Sequence, residues 1–143
     1  MLALREITPG DSVAAARLSE ELGYPATAQE MEERIESLEA RAHQAVFVAL
    51  LDEEVVGWVD VSVTHHLVSE PRAEIGGLVV ASGMRGRAIG RHLMVRAEQW
   101  AVERGLKSMV VRSRDAREAA HRFYVREGYT RTKLSVVFTK DLV

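Results

Sequence analysis

Apolar residues recur along this chain in two rhythms, every second position and every third or fourth, and the two alternate in a regular order. Leu2-Ala3-Leu4-Arg5-Glu6-Ile7 reads as a short strand closed by Pro9-Gly10. Asp11 or Ser12 then caps a helix carrying Val13, Leu18 and Leu22, which stops at Gly23 before Pro25. Thr27-Ala28-Gln29-Glu30 has the form of a capping box. It opens a helix with Met31, Ile35 and Leu38 at helical spacing. Ala45 to Leu51 has the run of a buried strand. Asp52-Glu53-Glu54 turns it into Val55 to Val63, which predicts a hairpin. His65 to Pro71 reads as a polar connection and Arg72 to Ala81 as a third long strand. Beyond a glycine-bearing turn, Ile89, Leu93, Ala97 and Trp100 form one helical stripe that ends near Gly105. Lys107 to Ser113 predicts a strand. Asp115 caps a helix with Ala116, Ala120, Phe123 and Tyr124, closed by Gly128, and Leu134 to Lys140 predicts a last strand.

This order predicts an α/β chain, a mixed sheet flanked by helices, without linker, repeat or low-complexity segment. The 143 residues suit one domain over residues 1–143 with a core of its own. A hydrophobic fraction of 47% and a charged fraction of 28% are ordinary for a soluble protein. The net charge of −2 argues against a nucleic-acid binder that relies on a basic field. Cysteine is absent, which removes disulfides, thiolate nucleophiles and zinc-thiolate sites. The adjacent His65 and His66 would point to opposite faces of a strand, which is poor metal geometry, so no metal site is expected. No apolar stretch approaches the ~20 residues of a membrane span, and Met1 to Gly10 does not read as a signal peptide. A cytoplasmic location is the default expectation.

The candidate chemistry gathers between Ala73 and Arg91. An apolar run enters a short loop, and the loop becomes a helix through Arg85, Gly86, Arg87, Ala88, Ile89 and Gly90, with Arg91 following. Such a turn can cradle a phosphate: glycine admits close backbone approach, helix N–H groups attract an anion, and Arg85, Arg87 and Arg91 add full charge. A Walker A loop would need Gly-Lys-Ser/Thr, and the helix instead opens Gly90-Arg91-His92. The G-x-G-x-x-G dinucleotide fingerprint is missing too. Upstream, Gly76 and Gly77 lie in mid-strand, where glycine marks a bulge or a close backbone approach.

The segment resembles motif A of the GNAT superfamily of acyl-CoA-dependent N-acetyltransferases, Gln/Arg-x-x-Gly-x-Gly/Ala, with Arg85 and Gly90 at its ends and Ala88 in place of the usual middle glycine. A second stretch, Ala120-His121-Arg122-Phe123-Tyr124-Val125-Arg126-Glu127-Gly128-Tyr129, resembles that superfamily's A-x-x-F-Y-x-x-x-G-F/Y signature. The resemblance implies a GNAT fold, a centrally splayed mixed sheet with helices on both faces, and acetyl-CoA as co-substrate. It implies that the backbone of Leu78, Val79 and Val80 pairs with the pantetheine arm. Gly86 to Arg91, including Ala88 and Ile89, would meet the pyrophosphate. Tyr124 matches the tyrosine that protonates the leaving thiolate, and Glu74, eleven positions before Arg85, matches the base of the histone acetyltransferases. Burial on an apolar strand would suit Glu74 to that task. Arg117, where many relatives carry asparagine, reads as an exposed residue.

Transfer of the acetyl group directly to a primary amine of a small molecule or peptide is the implied reaction, through a ternary complex, since no cysteine can carry the acyl group. The alternative is a non-catalytic acyl-CoA-binding module; an enzyme for longer acyl groups is a third reading. The two N-terminal helices and Tyr24, by resemblance, would roof the acceptor site. Trp58 and Asp60, with one of His65 and His66, are candidates to border it, although both histidines read more simply as surface residues. A homodimer through the C-terminal strand is a further implication. Neither nucleic acid nor membrane is an expected partner.

Overall fold

The computed structural model describes residues 1–143 and divides them into two compact units, residues 1–111 and 112–143. In the first unit, strand β1 (Leu2–Glu6) leads through a 3-10 turn at Pro9–Asp11 into helix α1 (Ser12–Leu22), and helix α2 (Ala28–Ser37) follows. Strands β2 (Gln44–Leu51), β3 (Glu54–His66) and β4 (Ser69–Val80) come next, then helix α3 (Ile89–Glu103) and strand β5 (Met109–Val111). The sheet order is β1-β2-β3-β4-β5, antiparallel throughout except for the parallel β4–β5 pair. The second unit holds helix α4 (Glu118–Arg126). No helix is long and apolar enough to cross a membrane.

Local chemistry explains most boundaries. The Thr27 hydroxyl accepts from Glu30 N–H at 3.0 Å, and Thr27 N–H donates to the Glu30 carboxylate at 2.9 Å, the reciprocal bonds that the capping box predicts. Gly23 closes α1 at φ +103, a left-handed conformation that costs glycine nothing. Asp11 does stand at the start of α1, but its side chain makes no cap bond. Arg5 draws it away with two bonds of 2.8 and 3.0 Å, and Thr8 N–H donates to it at 2.8 Å.

Three expectations are corrected. The predicted polar connection His65 to Pro71 is hairpin instead: β3 runs to His66 and β4 starts at Ser69, so only Leu67 and Val68 turn the chain. Both are fully exposed apolar residues, and neither carries a turn signal. Helix α4 starts at Glu118 with Arg117 as its uncapped first neighbour, three residues after Asp115. Asp115 instead accepts from Arg131 at 3.3 Å. The strand predicted from Leu134 to Lys140 does not form, and Leu134, Val136, Val137 and Phe138 are exposed. A strand needs a hydrogen-bonded neighbour, and this segment has none within the chain.

Alternation along β3 sets the two faces of the sheet. The Trp58 indole N–H reaches the Ala15 carbonyl of α1 at 3.4 Å, whereas a Cβ on Gly57 would meet the Leu93 side chain of α3 at 3.2 Å. Successive strand residues point to opposite sides, so α1 and α3 cover opposite faces. Leu18 of α1 packs with Val48, Val55 and Val79 of the sheet. On the other side α3 buries Ile89, Leu93, Ala97 and Trp100, the predicted stripe, and Met94 besides.

Candidate functional site

The sheet opens at one place. Strand β5 pairs only with Ala73, Glu74 and Ile75 of β4, while β4 continues to Val80 with β3 as its sole neighbour. Pairing with β3 slips between Asp60 and Val61, so Gly76 stands outside the register as a bulge. From Gly76 to Val80, peptide groups on the β5 side therefore lack a ladder partner. Leu78, Val79 and Val80 lie along this open edge, which suits pairing with the amides of an extended ligand.

The loop after β4 is tied down at its start and open at its end. Ala81 N–H donates to the Val56 carbonyl at 2.8 Å, Ser82 N–H to Glu21 Oε1 at 2.9 Å, and Met84 N–H to the Ala81 carbonyl at 2.9 Å. Arg85, Gly86, Arg87 and Ala88 are then exposed, as is Arg91. Gly86 has φ +83 with open space where a side chain would be, so its glycine serves conformation alone. Ala88 also has positive φ, +61, directly before α3. No side chain caps α3 at Ala88, and an uncapped helix start can offer its first N–H groups to an outside acceptor. An anchored loop, an uncapped helix start and the charges of Arg85, Arg87 and Arg91 fit a diphosphate.

Beside the opening, two side chains of β3 lie on the two mid-strand glycines. A Cβ on Gly77 would stand 2.9 Å from Trp58 Cζ3, and one on Gly76 would stand 3.1 Å from Asp60 Oδ2. Asp60 Oδ1 accepts from Gln44 Nε2 at 3.0 Å, and Arg41 donates to Gln44 Oε1 at 3.2 Å. Burial pushes the Asp60 carboxyl above the usual carboxylate range, against the opposing pull of Gln44 and Arg41. Glu74 is half-buried on β4, opposite Ser62 and paired on its other side with Val110, so it sits where the sheet is still closed. Its cross-strand partner Ser62 shares a face with Asp60, two residues away on β3. His65 lies elsewhere, edge-on to His43 at 6.2 Å.

Tyr124 lies on α4, within the second compact unit. Its ring meets Phe123 at 5.3 Å and Tyr129 at 6.1 Å, both edge-on, and Tyr129 N–H donates to the Tyr124 carbonyl at 3.0 Å. Burial raises the Tyr124 phenol above its ordinary 10, with Arg117 opposing. Arg117 itself is exposed.

The pattern of the chain named Asp60 and Trp58 only as borders of a pocket. The signal that singles them out is cross-strand: a glycine pair on one strand faces a large aromatic and a carboxylate on the next, and that pairing emerges only with register.

Residues 13–129 match the model of the acetyltransferase (GNAT) family. An aminoglycoside N(6')-acetyltransferase type 1 from Stenotrophomonas maltophilia is 31% identical over 97% of this chain and 93% of its own length. An aminoalkylphosphonate N-acetyltransferase from Salmonella typhimurium is 38% identical over 66% of this chain; the match spans 61% of that enzyme. Among solved structures, the aminoglycoside N-acetyltransferase AAC(6')-Iy in complex with CoA has TM-score 0.89 at 19% identity, over 98% of this chain and 95% of that one. At that identity the likeness speaks for the fold.

Proposed function

The chain belongs to the GNAT acetyltransferase family, and from that premise we propose that it is an acetyl-CoA-dependent N-acetyltransferase acting on a primary amine of a small molecule. The observation that carries this reading is the open edge of β4 running into an uncapped helix start through an anchored, arginine-bearing loop. Leu78, Val79 and Val80 hold the pantetheine arm by strand-like pairing. Arg85 to Arg91 hold the pyrophosphate. Both relatives named above act on small amines by their names, which supports that acceptor class over a peptide. The reading takes residues 1–143 as one catalytic domain, supported by a family match that runs through both compact units.

Acetyl-CoA supplies a thioester as acyl donor. Glu74, directly or through water, takes the proton that the amine must lose, and the freed nitrogen forms the new C–N bond as the C–S bond breaks. Tyr124 gives its phenolic proton to the departing thiolate. A phenol is protonated at neutral pH and so can make that donation, and a module that only bound acyl-CoA would have no use for it.

We further infer a cytoplasmic homodimer. Exposed Val136, Val137 and Phe138, in a segment with strand pattern and no partner in its own chain, support pairing with a second copy. Release of free CoA from acetyl-CoA, measured over polyamines, aminoglycosides, aminoalkylphosphonates and peptide N-termini, tests the reaction. Release with a small amine supports it, and release with none contradicts it.

A further inference from the structure

The two glycines in the middle of β4 are a steric consequence of what lies on them. Neither has the space that an ordinary side chain needs: the Trp58 ring occupies it at Gly77, and the Asp60 carboxylate occupies it at Gly76. A large aromatic and an acid thus lie side by side, two residues apart on one face of β3, over bare backbone of the next strand. Gly76 is exposed, so the acid reaches a surface that solvent reaches too.

Of the two carboxylate oxygens, only Oδ1 has a partner. Gln44 holds it, and the Arg41 bond to Gln44 Oε1 turns the amide so that its NH₂ faces the acid. Oδ2 accepts no hydrogen bond from the protein and is the oxygen nearest Gly76. Asp60 is partly exposed, so its second oxygen stays open to a cation arriving from that surface. No guanidinium or ammonium donates to it directly.

Its place along β4 says which cation. A diphosphate held at Gly86 to Arg91 and an arm running back along Val80, Val79 and Leu78 carry the thioester to the level of Gly76. That is also where β4 parts from β5, one residue past Ile75. We propose that Asp60 Oδ2 and the face of Trp58 form the binding site for the acceptor's ammonium group, and so determine that the substrate is a cationic amine. This rests on the acetyltransferase reading, and it separates two carboxylates by task. Asp60 binds the charged nitrogen, and Glu74 receives its proton. The aromatic ring adds cation–π attraction to the charge of the acid.

The test uses the full chain and the variants Asp60→Asn and Asp60→Ser. Steady-state CoA release is measured against the amine that the wild type turns over best, and acetyl-CoA binding by calorimetry, with thermal melting alongside. The inference expects the amine KM to rise tenfold or more in both variants, kcat to change less than KM, acetyl-CoA affinity to stay within twofold, and the melting point not to fall. It further expects an uncharged hydroxylamine acceptor to lose its disadvantage against the cationic amine in Asp60→Asn. An unchanged amine KM overturns the inference and leaves the acetyltransferase reading standing. A lower melting point with an equal loss of acetyl-CoA binding makes Asp60 structural and also overturns it. A wild type that binds no acetyl-CoA, or binds it and acetylates no amine, sinks the reading and this inference with it.

Discussion

Trp58 and Gly77 are matched across the β3–β4 pair: the ring lies where the glycine's Cβ would be, 2.9 Å from Cζ3 and 3.0 Å from Cη2. The Trp58 ring is also fixed from α1 by the bond to Ala15. Gly77→Ala therefore forces the ring or the strand to move, at a cost of about 1–3 kcal/mol of overpacking. Gly76→Ala meets a carboxylate end at 3.1 Å, which can swing by a few tenths of an ångström, so it costs less. Urea unfolding of the two variants should rank Gly77→Ala as the less stable. The reverse order would contradict the packing described.

Ala88 is held at φ +61 without the glycine that such a backbone favours. Strain of this kind is worth about 1 kcal/mol, so Ala88→Gly should raise the urea midpoint even though glycine loosens the unfolded chain. Glu53, at φ +69 in the β2–β3 turn, is a second such position. Glu53→Gly should raise stability similarly. A fall in stability for both would count against the left-handed assignments.

Tyr124→Phe removes the proton donor and keeps the ring. We expect kcat to fall about 100-fold with acetyl-CoA affinity unchanged. Because burial raises the phenol above 10, wild-type kcat should hold through mildly alkaline pH and decline only above that value. An unchanged kcat in the variant would assign the proton to water.

Arg5 and Asp11 pin β1 to the start of α1, and the two bonds hold the Asp11 carboxyl below its ordinary 3.8. A carboxylate lowered in the folded state contributes stability that is complete above its unfolded value near 4 and lost as pH falls toward the folded one. Asp11→Ala should cost about 1–3 kcal/mol at pH 7, and much less at pH 3. Asp60 has the opposite sign: its carboxyl is raised, so folding favours the protonated form, and its contribution weakens as pH rises through the raised value. Asp60→Asn should therefore be no less stable than wild type at pH 7, measured by urea midpoints. Equal pH profiles for the two single variants would contradict both assignments.

Helix starts and stops were legible because they rest on local chemistry: Thr27 with Glu30, and Gly23 in its left-handed turn, are recognisable within four residues. The loop from Arg85 to Gly90 was legible for the same reason. Ala88 shows where a one-residue reading ends, since the sequence offers alanine and the fold imposes a glycine's backbone. The Leu67-Val68 turn carried no signal because the strands on either side determine it. Leu134 to Lys140 has a strand's alternation, but alternation cannot say whether a partner strand exists in the same chain. Asp60 gained its meaning only from Gly76 across the sheet, and no spacing along the chain encodes that contact.

The central claim is that the open edge of β4 and the loop from Arg85 to Arg91 bind acetyl-CoA. Isothermal titration of the full chain with acetyl-CoA tests it most directly, with Arg85→Glu and Arg87→Glu combined as the comparison. Saturable one-to-one binding by the wild type, strongly weakened in the double variant, is the predicted result. No heat of binding at millimolar acetyl-CoA, or equal affinity in both proteins, would contradict the account.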